Sequence, residues 1–161
     1  MRVFRTNILS KNVMRAADAI CFTSNGVIKK NGSLVMGAGV AKAFRDRFDG
    51  IDAEAGKCVK TFGNICQRVA FHIWRDDDGT PQKVALIAFP TKHHWRNPSD
   101  IKLIEKSVDE LIALADDNNW NSIYIPAPGV SHGGLDWKTE VRPLLEKKLD
   151  DRFIITFYQK G

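Results

Sequence analysis

What this 161-residue sequence lacks narrows it first. No stretch comes near the ~18–20 uninterrupted apolar residues of a membrane-spanning helix. Residues 1–10 carry two arginines but no apolar core, so no secretory leader is expected there. Cysteine is scarce. Cys21, Cys58 and Cys66 are odd in number and without CxxC spacing, which argues against a disulfide framework or a zinc site and for a reducing, cytoplasmic setting. No period repeats, which excludes solenoid, collagen and coiled-coil readings. Nor is charge of one sign dominant: 24 Lys and Arg against 19 Asp and Glu leave +5, compatible with a polyanionic partner without demanding one. No cofactor, metal or membrane contact is implied. The expectation is one soluble cytoplasmic domain over residues 1–161.

Short apolar runs at residues 2–8, 19–23, 83–89, 122–125 and 152–158 predict strands. The longer β-branched and aromatic run 65–74 predicts another, turning through 75–79 into 83–89. Val40, Ala41, Phe44 and Phe48 recur at helical spacing within residues 37–48, and a short helix fits residues 10–17. Ser99 is placed as the cap of a helix whose apolar stripe is Ile101, Ile104, Val108, Leu111, Ile112 and Ala115. Asp136 is placed as the cap of a last helix carrying Trp137, Val141, Leu144, Leu145 and Leu149, with Pro143 loosening its first turn. Alternating strands and helices with one hairpin predict an α/β fold, a mixed sheet covered by helices on both faces.

In such sheets ligands bind beyond the carboxyl ends of the strands, where loops run into helix N-termini. Two glycine-rich segments occupy such places: one from Asn25 to Met36-Gly37-Ala38-Gly39-Val40, the other Gly129-Val130-Ser131-His132-Gly133-Gly134-Leu135. Glycine lets backbone N–H groups approach phosphate oxygens, and two facing loops can grip a diphosphate. Neither is a Walker loop, because Gly-Lys-Ser/Thr is missing, and a dinucleotide fingerprint fails because Lys42 stands where a third glycine is needed. A third segment, Thr91-Lys92-His93-His94-Trp95-Arg96-Asn97-Pro98-Ser99, crowds polar and aromatic side chains between prolines directly after a strand. Its adjacent histidines have no third ligand for a metal. His72 reads as a core or edge residue of its strand, and Asp76 to Asp78 as a solvated turn.

These three segments, in this order, resemble the macrodomain family, whose members bind ADP-ribose. The strings Thr91-Lys92-His93-His94-Trp95-Arg96 and Gly133-Gly134-Leu135-Asp136-Trp137 are similar to one branch, containing a DNA (thymidine) ADP-ribosyl glycohydrolase antitoxin and the terminal ADP-ribose protein glycohydrolase. The resemblance implies a three-layer α/β/α sandwich around a central mixed sheet. It places Asn7, beside Ile8, where the family has an aspartate accepting from the adenine amino group, and Tyr158 against the adenine face. Residues 129–134 would wrap the diphosphate, with Val130, Ser131 and Leu135 in that wall and Met36, Gly37, Ala38, Gly39 and Val40 opposite. Asn25 would lie near the distal ribose, with Thr91 beside it, and Phe22 replaces a further family asparagine. Lys92 matches a lysine acting on the anomeric carbon; His132 replaces an apolar residue of the antitoxin loop and is a candidate either for a general acid or for a residue of the rim.

Gly133 stands where the protein glycohydrolase has a catalytic aspartate, which favours a nucleic-acid substrate over acidic protein side chains. The implied function is hydrolysis of an ADP-ribosyl linkage, foremost to thymidine in DNA. The implied partners are ADP-ribose or an ADP-ribosylated substrate, DNA, and an ADP-ribosyltransferase toxin. A non-catalytic ADP-ribose reader stays open at this point. So does a hydrolase of ADP-ribosylated protein or of a small metabolite such as ADP-ribose 1″-phosphate.

Overall fold

A computed structural model describes residues 1–160. Its centre is a six-stranded sheet in the order β1-β6-β5-β2-β4-β3. The strands are β1 Arg2–Arg5, β2 Ala19–Ser24, β3 Gln67–Arg75, β4 Pro81–Pro90, β5 Ile123–Pro126 and β6 Phe153–Phe157. All neighbours pair in parallel except the hairpin β3–β4 at one edge. The helices are α1 Lys11–Ala16, α2 Gly39–Arg47, α3 Ile51–Phe62, α4 Ile101–Asn118 and α5 Arg142–Lys148.

The central strands are unbroken apolar runs because both of their faces are buried. Along β2 the side chains alternate, Ile20 and Phe22 joining the apolar layer beneath α1, α2 and α3, Ala19 and Cys21 the layer beneath α4 and α5. Phe22 is fully buried and packs at 5.2 Å, centre to centre, against Phe44 of α2. The phenylalanine at this position therefore belongs to the core. Phe22→Ala would leave a cavity costing about 3–5 kcal/mol.

Several elements differ from the sequence expectation. β1 ends at Arg5, because Asn7 and Ser10 turn the chain: Asn7 Oδ1 accepts from Leu9 N–H and Ser10 Oγ from Val13 N–H, capping α1. The cap of α4 is Asp100, whose carboxylate accepts from Lys102 N–H, and not Ser99, whose side chain turns under the loop after β5. Helix α3 was not expected. Its buried residues include Ile51, Ala55 and Gly56, too small together to draw an apolar stripe. The loosened turn at Pro143 is present as a π-helical turn, Trp137–Val141, leading into α5 and capped by Asp136.

Two crossovers position the site. From β2 the chain leaves toward α2 and α3 on one face of the sheet, and from β5 toward α5 on the other. β2 and β5 are neighbours. Loops that part to opposite faces open a crevice at the strands' carboxyl ends, the place where such sheets bind ligands.

Candidate active site

A cleft of about 1260 Å³ occupies that crevice. Of the residues singled out in the sequence it is lined by Asn25, Met36, Gly37, Ala38, Gly39, Val40, Thr91, Lys92, Val130, Ser131, His132, Gly133, Gly134 and Tyr158. Asn7, Ile8, Gly129 and Leu135 do not line it. Ile8 is buried in the layer beneath α1, and Asn7 Oδ1 accepts from Leu9 N–H in the turn into α1. Gly129 and Leu135 form the base of the second glycine loop, joined by Leu135 N–H to Gly129 O at 2.9 Å. A smaller hollow of about 210 Å³, lined by Arg47, Phe48 and His72 among others, holds none of these residues. His72 there lies between the rings of Phe48 and Trp74, at 5.0 and 5.3 Å. Burial, with Arg47 close by, lowers its pKa.

The wall after β5 is built by close packing. A Cβ on Gly133 would lie 2.2 Å from Ser99 Oγ and 2.4 Å from Gly129 O, and one on Gly129 would lie 2.9 Å from Ile104. Ser99 N–H donates to Gly133 O at 2.9 Å, tying the loop to the start of α4. The opposite wall, after β2, is held by side-chain hydrogen bonds. Asn25 Nδ2 donates to Val35 O and its Oδ1 accepts from Val27 N–H, each at 3.0 Å, so this amide closes the neck of the loop. The loop then lies on α3, where Gly56 makes room: a Cβ there would meet Gly32 O at 1.8 Å. At its end α2 begins at Gly39, and among the described residues no side chain caps it. Its first N–H groups are left to a ligand, and the helix dipole favours an anion there. The two walls meet at the His132 ring, 3.8 Å from where a Cβ on Gly39 would stand.

Lys92 lies two residues after β4, which pairs with β2. Its N–H donates to Ser24 O at 3.3 Å, and its Nζ reaches across the cleft to His132 O at 3.4 Å. The amine thus lies where the second glycine loop and the strand ends converge. His93 points the other way, its Nε2 2.9 Å from Asp100 Oδ2. That bond, first among the causes, holds the Asp100 carboxyl below the usual range. Trp95 and Arg96 do face the cleft, the guanidinium 4.8 Å from the indole centre. At the far end Tyr158 is 71% exposed beside Phe157, whose ring meets Trp137 edge-on at 5.1 Å. Such an exposed aromatic can take a flat base on its face. Burial pushes the thiols of Cys21 and Cys66 up, so neither is a ready nucleophile. Among the described residues no three His, Cys, Asp or Glu side chains come together as metal ligands.

Sequence reasoning passed over several residues that shape this cleft. Ser24 and Thr156 are buried polar residues at strand ends, and Ser99 lies beneath Gly133. Their signal is only positional, at or near the end of an apolar run.

A family model described as "Macro domain" matches residues 29–143, more than half of the chain. The chain belongs to the macro domain family. It is 34% identical over 104 residues, 65% of the chain, to a protein of Mycobacterium tuberculosis named "DNA ADP-ribosyl glycohydrolase". It is 31% identical over 120 residues, 72% of the chain, to one of Thermus aquaticus with the same name. It spans only about 29% and 31% of the lengths of these curated relatives. The solved macrodomain of Thermus aquaticus DarG superposes with a TM-score of 0.67 at 26% identity, covering 99% of this chain and 97% of that one.

Proposed function

We propose that this chain is an ADP-ribosyl glycohydrolase domain that removes ADP-ribose from thymidine in DNA, with Lys92 as nucleophile. The carrying observation is the place of Lys92 Nζ, 3.4 Å from His132 O where the two glycine walls converge. A diphosphate cradled by the N–H groups of the walls would leave the distal ribose beside this amine. The names of the relatives support the same reading.

In the proposed reaction the neutral amine of Lys92 attacks the anomeric carbon of the distal ribose. A C–N bond forms to Nζ and the bond to the thymine nitrogen breaks, its electron pair leaving with the base. The protonated His132 imidazole supplies the proton that the base takes up. Water then adds to the anomeric carbon as the Nζ–carbon bond breaks; its hydroxyl stays on the ribose and its proton leaves with the Lys92 amine, which passes it to His132, so that ADP-ribose, neutral Lys92 and protonated His132 result. Asn25, committed to bracing its loop, acts by shaping the ribose end of the cleft, while Asn7 stabilises the turn beside the adenine end and Tyr158 takes the adenine face.

Gly133 supports this substrate class. No side chain fits there without moving the Gly129 carbonyl, so an acid suited to ester-linked protein substrates has no place at this position. A linkage removed in this way must first be made, so the proposed partner is an ADP-ribosyltransferase acting on the same base, in the same cytoplasmic setting.

The test is a release assay on three substrates: a single-stranded oligonucleotide ADP-ribosylated on thymidine, a glutamate-ADP-ribosylated protein, and ADP-ribose 1″-phosphate. Release from the oligonucleotide alone is expected. ADP-ribose binding without release from any of them would make the chain a reader, and release from the phosphate alone would make it a metabolite hydrolase.

A further inference from the structure

Asn64 lies in the turn between α3 and β3, 28 residues before Lys92, and does not line the cleft. Its Nδ2 nevertheless donates to Lys92 O at 3.0 Å. With Lys92 N–H bonded to Ser24 O, both polar groups of this residue's backbone are tied to neighbouring segments. The turn carrying Asn64 is itself fixed. Gly63 closes α3 with its N–H on Val59 O, and Gly63 O accepts from Ile65 N–H at 3.0 Å and from the buried Gln67 side chain at 3.1 Å. On the other side, Gly26 leaves room for the Asn64 amide: a Cβ there would stand 3.1 Å from it. Gly26 N–H then donates to His93 O, so the segment after Lys92 is bound to the same cluster.

The other half of the amide is an anomaly. Asn64 Oδ1 is buried and accepts no hydrogen bond among the described residues. An orphaned buried carbonyl is costly, and such a group calls for an explanation. Leucine would fill similar space without the orphan, and aspartate would set a carboxylate oxygen against the Lys92 carbonyl. Only the amide nitrogen of Asn64 does what this place requires, which is to hold the Lys92 carbonyl.

We infer that Asn64 is a positioning residue for Lys92, setting the direction from which Nζ enters the cleft. This rests on the reading of Lys92 as nucleophile. Nζ stands at the end of four rotatable bonds, and its reach to His132 O is defined only as well as its own backbone is. Misplacement by about 1 Å costs an attacking group up to about a hundredfold in rate.

The experiment compares wild type with Asn64→Asp, Asn64→Leu and Gly26→Ala, the last leaving Asn64 intact but crowded. Single-turnover release from the ADP-ribosylated oligonucleotide is expected to fall about tenfold to a hundredfold in the two Asn64 variants, and less in G26A. ADP-ribose affinity by calorimetry is expected to stay within about threefold, because the ligand does not touch Asn64. A second readout does not need turnover: lysines are labelled with limiting acetic anhydride, with and without ADP-ribose, and located by mass spectrometry. Bound ADP-ribose should shield Lys92 in wild type and lose that shielding selectively in N64D and N64L. Wild-type shielding at Lys92 and release from all variants would overturn the positioning role. So would a parallel fall in release and ADP-ribose affinity, which marks a merely structural residue. A wild type that shields Lys92 but releases nothing would instead overturn the proposed function, and the labelling comparison would still decide the role of Asn64.

Discussion

The two walls of the cleft are both glycine-rich, yet the same residue serves different ends in each. In the wall after β5, Gly133 lies so close to Ser99 and the Gly129 backbone that no Cβ fits, and Gly129 turns with φ +76° against Ile104, Leu135 and Ser99. In the wall after β2, Gly37 faces open space with no atom within 4 Å of a Cβ placed there. The packed wall is a rigid mould whose shape is set from behind by α4. The open wall keeps its glycine for what arrives, the close approach of a phosphate to the backbone. Sequence spacing alone makes these two segments look equivalent, and only the packing separates them.

Substitutions can break this contrast. Gly133→Ala should have the largest effect, destabilising by about 1–3 kcal/mol through overpacking and weakening ADP-ribose binding, both read from thermal melts and calorimetry. Adding Ser99→Ala should not rescue it, since the Gly129 carbonyl, 2.4 Å away, remains. Gly56→Ala should destabilise comparably, because its Cβ would displace Gly32 O and lift the 26–35 loop from α3. Gly37→Ala should leave stability within about 0.5 kcal/mol but weaken ADP-ribose binding, a split that none of the packed glycines can show. Unchanged affinity in that variant would mean that the ligand does not approach the open wall.

The smallest expected effect concerns the anchor of the packed wall, the start of α4. The Asp100 carboxyl is held below its ordinary pKa, first by the His93 hydrogen bond. A depressed carboxyl contributes stability above its unfolded pKa and loses it as pH falls through the folded value. Asp100→Asn should therefore lower the melting temperature by a few degrees at pH 7. The gap to wild type should close as pH falls below the ordinary carboxylate range, as melts over pH 2.5–7 would record.

Much of this architecture was legible in the sequence. The buried strands are short apolar runs, and α4 carries a full stripe of large residues, so both were readable from periodicity. Asp136 and Pro143 foretold the cap and the loosened turn before α5. Helix α3 was not legible because, between Ile51 and Val59, its packing face is made of the small Ala55 and Gly56, the latter admitting a loop. The cap of α4 was misplaced by one residue because Ser99 and Asp100 both suit a cap, and the hydroxyl is diverted beneath Gly133. Asn7 has a second duty that its position in the sequence does not announce, the turn into α1. Its type suits a base-recognising group, and its oxygen, which accepts from Leu9 N–H, keeps a second lone pair, though Asn7 does not line the cleft. Asn64 had no signal at all, because its partner is a backbone carbonyl far along the chain.

The most direct measurement is single-turnover release of ADP-ribose from a thymidine-modified oligonucleotide by Lys92→Ala, alongside calorimetry of ADP-ribose with the same protein. Among the described residues Lys92 Nζ hydrogen-bonds only the His132 carbonyl, so the variant should fold and bind ADP-ribose much as wild type does, with release reduced by at least about a thousandfold. Release at the wild-type rate from a folded Lys92→Ala protein would contradict the assignment of the nucleophile.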